Sequence, residues 1–203
     1  MEQKEQFVTH RREDGSFQPL KEHLEGVARL AEQFAKALGT PQEGWRTGLL
    51  HDVGKYSRNA QRRQRDPERA PRADHSTAGA KVALDIGDIP AAFAIAGHHG
   101  GLPDMGDKEG TLSARRKKKL EGDDDPSAWR TEITIPAQTD LPAWADQRNA
   151  PDPRNQSELA MFTRMLFSCL VDADFLDTER ALRGEQMRGG GESLDALLGK
   201  LQA

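Results

Sequence analysis

The chain has 203 residues, of which 35% are hydrophobic and 31% are charged, and its formal net charge is −4. This length fits one domain with a sizeable core, and the near-balanced charge excludes a globally basic surface, so any nucleic-acid site is local. The single cysteine, Cys169, excludes a disulfide framework and a cysteine-ligated metal. No stretch approaches the ~18 apolar residues that span a bilayer, and no apolar leader is present, so we expect a cytoplasmic protein without membrane contact.

Apolar residues recur at threes and fours along much of the chain, which predicts an all-α fold. A first helix spans residues 20–38 and carries His23 beside its apolar face. A second helix ends at Gly54 and therefore holds His51 and Asp52 in its last turn, near the core.

The next two helices also carry histidines at their ends. Asp74 is a suitable N-cap for one of them, so His75 lies in its first turn. The other is almost wholly apolar over residues 91–96 and delivers His98 and His99 at its C-terminus. Several helix ends are therefore predicted to present histidine near the core.

Residues 102–156 have a different character. They are rich in Asp, Lys, Arg and Pro and show little periodicity, which predicts a long irregular insertion into the helical domain. Within it we expect a short basic helix over residues 112–120 and a brief strand or extended turn over residues 133–136.

The helical pattern returns at Ser157, and its last turns carry Asp172 and Asp174 on an otherwise apolar segment. Glycines follow that helix and indicate a linker. We therefore expect one domain over residues 1–184, and a glycine-rich linker with the start of a following segment over residues 185–203.

The histidines and late acids form a set that packing alone explains poorly. Taken singly, His23 and His75 have ordinary explanations as half-buried or capping residues, and His10 lies in the polar N-terminal segment and is assigned to the surface. Burying Asp172 or Asp174 without a partner, however, costs several kcal/mol, so metal ions or other cations are natural partners.

The ligands in this set are nitrogen and oxygen without thiolate, which suits Fe, Mn, Co, Ni or Zn. Five or six protein ligands exceed one tetrahedral site, whereas two metals that share Asp52 would use them all. Two metals roughly 3.5–4 Å apart are a device for phosphoester hydrolysis, because they activate water and stabilise charge on the phosphate. Histidine ligands must be neutral, so activity should fall below about pH 6.5.

Three motifs and the late acidic segment resemble one family. They are His51-Asp52-Val53-Gly54-Lys55, Asp74-His75-Ser76-Thr77-Ala78-Gly79-Ala80, Gly97-His98-His99-Gly100-Gly101 and Leu170-Val171-Asp172-Ala173-Asp174-Phe175-Leu176-Asp177-Thr178-Glu179. With His23 upstream, this order is similar to the HD superfamily of metal phosphohydrolases. More narrowly, it resembles the HD nuclease domain of the CRISPR-associated nuclease-helicase of type I systems. The resemblance covers about residues 20–180 and implies a helical HD-domain bundle that cleaves single-stranded DNA in antiviral defence.

The resemblance also implies roles for single residues. One metal would be held by His23, His51, Asp52 and a late aspartate, and the other by Asp52, His75, His98 and His99. The late aspartate is Asp174, which matches the superfamily's Ala-Asp-x-Leu pattern, with Asp172 as the alternative if the helix is rotated. Lys55 would contact the scissile phosphate or steady the site, unless it is an ordinary solvated lysine. Asp52, His51 and Lys55 are thus the expected catalytic residues.

The implied cofactors are two divalent transition metal ions, Fe, Mn, Ni or Co. The implied partners are single-stranded DNA, a helicase in cis or as a separate chain, and a CRISPR surveillance complex. Two basic clusters fit such a substrate, unless they are solvated charged faces: residues 55–72 and residues 115–119. The first cluster offers as phosphate contacts Arg58, Arg62, Arg63 and Arg65. Tyr56 is the one nearby aromatic side chain that could stack on a base.

Two other functions fit the same residues. An HD phosphohydrolase acting on free nucleotides would need an enclosed pocket and only a few cations. A non-catalytic metal-binding module that docks a partner would keep the ligands without turnover.

Overall fold

The computed structural model describes residues 6–136, 140–142, 156–184 and 200, and it confirms the predicted all-α fold. The α-helices are α1 (Leu20–Ala35), α2 (Pro41–Leu50), α3 (Arg58–Arg65), α4 (Ser76–Asp85), α5 (Ile89–Gly97), α6 (Leu112–Lys117) and α7 (Gln156–Arg183). Short 3-10 helices cover Lys36–Leu38, Val53–Tyr56, Gly122–Asp124 and Ser127–Thr131. An antiparallel hairpin of β1 (Val8–Arg11) and β2 (Phe17–Pro19) precedes α1. None of the described helices combines the length and apolarity needed to cross a membrane.

The core lies between four helices. Helix α1 packs against α2 and α7, and α5 packs against α4 and α7. Gly48 of α2 lies so close to α1 that an added Cβ would overlap the backbone of Ala28. The buried face of α7 includes Leu166, Leu170 and Ala173, whose spacing follows the helical repeat. Small residues on α1 and α2 and an apolar stripe on α7 thus bring these helices together.

Helix α2 is shorter than predicted. It ends at Leu50, so His51 and Asp52 lie in the turn after the helix and not in its last turn. The following 3-10 helix carries Gly54 against the backbone of His75, where an added Cβ would overlap the His75 carbonyl group. Gly54 therefore does not end α2, as the sequence predicted, and instead lets two distant segments touch.

The predicted insertion is only partly irregular. Within it, residues 102–136 contain α6 and two 3-10 helices and place Leu112, Trp129 and Ile133 in the hydrophobic core. Residues 133–136 form no strand, so that alternative was wrong. The segment completes the core through a few large side chains, and these are too widely spaced to give a periodic pattern.

The hairpin is an addition that the sequence analysis missed. Val8 pairs with Pro19 across the two strands, and the Gln61 side chain bonds both backbone groups of Val8 at 3.0 and 2.9 Å. These bonds hold β1 against α3, and β1 also contacts α7. The predicted linker over residues 185–203 lies outside the described residues, apart from Lys200.

Candidate metal centre

Five segments of the chain converge on one buried cluster. His23 comes from α1, His51 and Asp52 from the turn after α2, His75 from the residue before α4, the His98–His99 doublet from the end of α5, and Asp174 from α7. His75 precedes the helix because α4 begins at Ser76, and Asp74 accepts the Thr77 amide at 3.1 Å as a capping side chain. The structure thus brings together the residues that the sequence analysis proposed as ligands, and the late aspartate among them is the preferred Asp174 and not the alternative Asp172.

Asp52 lies at the centre of the cluster and divides it in two. Its Oδ2 atom lies 3.3 Å from His51 Nε2 and 3.5 Å from His23 Nε2. Its Oδ1 atom lies 3.4 Å from His98 Nε2 and 3.5 Å from His75 Nε2. One carboxylate therefore faces two separate pairs of imidazoles.

A further side chain joins each pair. On the Oδ2 side, Asp174 Oδ1 lies 3.4 Å from His23 Nε2 and 3.7 Å from His51 Nε2. On the Oδ1 side, the His99 ring contacts the His98 ring at a tilt of 43° with centroids 4.0 Å apart, and the ligand atoms of Asp52, His75, His98 and His99 all lie within 4.8 Å of one another. We call these the Oδ2 side (His23, His51, Asp174) and the Oδ1 side (His75, His98, His99).

The imidazoles are oriented from behind by acceptors on their Nδ1 atoms. His51 Nδ1 donates to the Gly48 carbonyl at 2.7 Å, and His98 Nδ1 donates to the Ile95 carbonyl at 2.7 Å. A carbonyl can only accept, so these two rings are protonated on Nδ1 and turn Nε2 toward Asp52. Such outer hydrogen bonds commonly fix the tautomer and direction of metal-binding histidines.

The donor atoms fit divalent metal ions. The Nε2 atoms of His23, His51, His75 and His98 and the Oδ1 atom of Asp52 are buried and have no hydrogen-bond partner among the described residues. Buried polar atoms are normally satisfied, so this group needs an explanation. Ligands that each lie ~2.1 Å from a metal stand about 3 Å apart, close to the 3.3–3.5 Å separations around Asp52. The set has the spacing and chemistry of metal ligands.

Lys55 belongs to the cluster and is not a solvated lysine. Its ammonium lies 2.5 Å from Asp52 Oδ2 and 3.1 Å from Thr9 Oγ1, and its side chain is only 5% exposed. Burial opposes ionisation of Asp52, but the charges of Lys55 and the neighbouring imidazoles outweigh it and hold the Asp52 pKa well below its usual range. Asp52 is therefore a carboxylate in this setting.

The two sides differ in protonation. Burial opposes protonation of His51, but the carboxylates of Asp52 and Asp174 outweigh it and raise the His51 pKa to about 10. On the Oδ1 side, burial lowers the pKa of His75, and burial together with the neighbouring His98 lowers the pKa of His99 to about 4. Without metal, His51 is thus a cation at neutral pH, whereas His75 and His99 are neutral.

Two residues that contact the site were not predicted from the sequence. His23 Nδ1 donates to Asp177 Oδ2 at 2.8 Å, and Gln18 donates to the same oxygen at 2.8 Å, so Asp177 orients His23. His10 is half-buried and not on the surface, with its ring centroid 4.9 Å from that of His23 and its Nε2 3.2 Å from the Thr178 hydroxyl. Asp177 follows Asp174 by three residues on α7, which was the available signal, whereas nothing in residues 1–19 pointed to His10.

Two other residues that the sequence analysis proposed for the site do not have the expected positions. Asp172 is exposed, because α7 turns it to the opposite side from Asp174, so the expectation that it is buried was wrong. Tyr56 is buried and its hydroxyl donates to Glu132 at 2.9 Å, so its ring does not present a stacking face.

The four arginines that were proposed as phosphate contacts lie on α3 and already have partners. Arg58 and Arg62 form exposed ion pairs with Asp123 at 3.7 and 2.7 Å. Arg63 donates to the Ala70 carbonyl at 2.8 Å, and Arg65 donates to the Gln6 carbonyl at 2.9 Å. Their contact with nucleic acid stays a prediction.

Comparison with known proteins agrees with this geometry. No curated protein is significantly similar to the chain. Residues 20–139, which include all the proposed histidine ligands, match the family described as HD domain. Asp174 and Asp177 lie beyond the matched segment and are joined to it by the packing of α7 on α1 and α5. The chain belongs to the HD domain family of metal-dependent phosphohydrolases.

Proposed function

We propose that this protein is a metal-dependent endonuclease that hydrolyses phosphodiester bonds of single-stranded DNA, with two divalent ions sharing Asp52. The observation that carries the proposal is the division of the Asp52 carboxylate, whose Oδ2 and Oδ1 atoms face separate pairs of imidazoles. One ion would be held by His23, His51, Asp52 and Asp174, and the other by Asp52, His75, His98 and His99. Ions bound there would supply Lewis-acid stabilisation of a phosphate and a lowered pKa for water.

The chain's own residues then have defined tasks. Asp52 provides a permanent negative charge between the two sides, because its pKa is held low. Lys55 positions the Oδ2 atom of Asp52 and is itself held by Thr9. Asp177 and the backbone carbonyls behind the rings keep the Nε2 atoms pointing inward.

Two considerations favour DNA over a free nucleotide. The His51–Lys55, Asp74–Ala80 and Gly97–Gly101 motifs resemble the HD nuclease domain of the CRISPR-associated nuclease-helicase. In addition, the cluster opens at His75 and His99 onto a broad surface groove and not into an enclosed pocket. A helicase and a CRISPR surveillance complex are proposed as partners on the resemblance alone.

The direct test is cleavage of circular single-stranded DNA by the purified protein with Mn²⁺, Ni²⁺ or Co²⁺. Circular DNA has no end, so conversion to linear product requires an endonuclease. We expect cleavage that is lost with a chelator and in Asp52→Ala, and retained in Asp172→Ala, whose side chain is exposed on the same helix as Asp174. Turnover of mononucleotides with intact DNA under all three metals would replace the nuclease with a nucleotide phosphohydrolase.

A further inference from the structure

A solvent-open groove begins at the Oδ1 side of the cluster. It has a volume of about 910 Å³, at the upper end of the ~300–1,000 Å³ of pockets for small ligands. Its lining includes His75 and His99 together with Arg72, Gly100, Arg115 and Lys118. We call it the α4–α6 groove, because the start of α4 and the helix α6 form its two walls.

Three cationic side chains line the groove, and they differ in exposure and in their bonding partners. Arg115 is tied down, since it donates to Ser76 Oγ at 2.8 Å and to Thr77 Oγ1 at 2.9 Å. Lys118 is half-exposed and contacts Asp74 Oδ2 at 2.7 Å. Arg72 is exposed and has no ion pair among the described residues.

Asp74 offsets part of this charge, because it forms ion pairs with Lys118 at 2.7 Å and with Arg115 at 3.7 Å. It shares its carboxylate with the Thr77 amide and hydroxyl, at 3.1 and 2.6 Å, so it serves the start of α4. The groove lining contains three cationic side chains and two carboxylates, those of Asp74 and Glu109. Its net charge beside the site is therefore positive.

The floor of the groove next to His99 has no side chains. Gly100 and Gly101 follow the histidine doublet, and an added Cβ at either would meet no atom within 4 Å. Both glycines are exposed. The backbone therefore leaves room at the point where the groove meets His99, as the approach of a sugar-phosphate chain requires.

We infer that the α4–α6 groove is the path by which a single strand of nucleic acid reaches the Oδ1 side, with consecutive phosphates beside Lys118, Arg115 and Arg72. This inference rests on the proposed function and adds a location and a set of contacts to it. It also gives α6 a task, because the segment predicted as an insertion supplies one wall of the substrate path. Sequence-tolerant binding follows, since the groove lining presents cations and no exposed aromatic side chain.

The decisive variant is Gly100→Trp, which fills open space at the groove floor. The backbone of Gly100 is not in the left-handed region, so the substitution is not strained. The matched control is Gly106→Trp, where the nearest atom to an added Cβ is 3.9 Å away and which lies outside the groove lining. Two readouts are needed: anisotropy of a fluorescent dT oligonucleotide with chelator present, and Mn²⁺-dependent hydrolysis of bis(p-nitrophenyl) phosphate.

We expect Gly100→Trp to weaken oligonucleotide binding at least tenfold. Gly106→Trp should match the wild type in both readouts. Oligonucleotide binding that is unchanged in Gly100→Trp would overturn the inference. A mononucleotide that binds as tightly as the oligonucleotide and is equally blocked would also overturn it, since the groove would then be a nucleotide site.

Salt dependence provides a second measurement. Three phosphate contacts on a single strand predict a slope of about −2 for log K against log[salt], or about −0.7 per contact. Lys118→Ala should reduce that slope by about 0.7, and the neighbouring Lys119→Ala, which lies outside the groove lining, should not change it. Equal slopes for the two variants would contradict the assignment of Lys118.

These tests separate the inference from the proposed function. If the wild type hydrolyses neither bis(p-nitrophenyl) phosphate nor DNA with any metal, the proposed function fails, and the inference fails with it. If the small substrate is hydrolysed and the groove variants bind DNA normally, only the inference fails.

Discussion

The two sides of Asp52 use similar ligands in different surroundings. On the Oδ2 side, His23 and His51 are fully buried and Asp174 is mostly covered. On the Oδ1 side, His75 is 25% exposed at its side chain and His99 is exposed. The Oδ2 side is also contacted by Lys55, whereas the Oδ1 side adjoins the α4–α6 groove.

This contrast indicates that the two sides have different functions. A closed set of ligands around a fixed charge retains an ion, because exchange requires movement of packed helices. An open set lets solvent and substrate reach an ion directly, which a hydrolytic site requires. We therefore expect the Oδ2 side to bind metal slowly and tightly, and the Oδ1 side to exchange metal and to meet substrate.

The largest expected effect comes from Asp52→Ala, which removes the one group common to both sides. We expect the protein to lose both equivalents of metal and activity to fall by more than about 10³-fold, the scale of a central electrostatic element in an active site. His51→Ala should lose only one equivalent. Metal content by mass spectrometry and cleavage rates would be measured together, and two equivalents retained by Asp52→Ala would contradict the shared carboxylate.

Asp177→Ala tests the closed side alone. The variant removes the acceptor of His23 Nδ1, and loss of such an outer partner typically costs 10–100-fold in metal affinity. We expect that loss for one of the two metal equivalents, measured by competition with a chelating dye. Asp172→Ala, an exposed aspartate on the same helix, is the matched control, and equal affinities for the two variants would argue against the role of Asp177.

Proton release should differ between the two sides. His51, with a pKa of about 10, must lose a proton before it can bind metal. Affinity at the Oδ2 side should therefore rise about tenfold per pH unit between pH 6 and 8. His75 and His99 are already neutral because their pKa values are lowered, so these imidazoles make affinity at the Oδ1 side flat over the same range.

Calorimetry in two buffers of different ionisation enthalpy would count the protons. The expected result is about one proton released for the tighter equivalent and none for the weaker. Identical proton release from both equivalents would mean that the two sides share one electrostatic environment.

The smallest effects should come from the arginines of α3. Arg58 and Arg62 are exposed and pair with Asp123, and exposed pairs of this kind contribute about 0–1 kcal/mol. Arg58→Ala and Arg62→Ala should change the free energy of unfolding by less than about 1 kcal/mol and DNA cleavage by less than about twofold. Denaturant unfolding and cleavage rates measure these effects, and a tenfold loss of cleavage would support contact with the substrate through α3.

Much of the fold and site followed from local sequence. The spacing of Leu20, Leu24 and Val27 predicted α1 and the position of His23 on it, because one helix face needs no knowledge of its partner. Likewise, the two histidines at the end of α5 could be predicted as candidate ligands, because core packing does not explain imidazoles at the end of an apolar helix. The structure brings the proposed ligands together, and ligation itself stays a prediction.

What the sequence could not supply depends on contacts between distant segments. The β1–β2 hairpin is short, and side-chain bonds from α3 hold it, so residues 1–19 carry no periodic signal. His10 reaches the cluster only through that hairpin. Asp177 could be separated from Asp172 only after the rotation of α7 was known, since all the acids of that segment look alike in sequence.

The contact between Gly54 and the His75 carbonyl has a consequence for how this protein can diversify. The two segments touch backbone to backbone, so the spacing between the halves of the site does not depend on the chain that connects them. Residues 66–73, between α3 and α4, are therefore free to change in length and composition without altering that spacing. A shortened or lengthened connection should give a protein that still assembles the same centre, whereas one methyl group added at Gly54 should not.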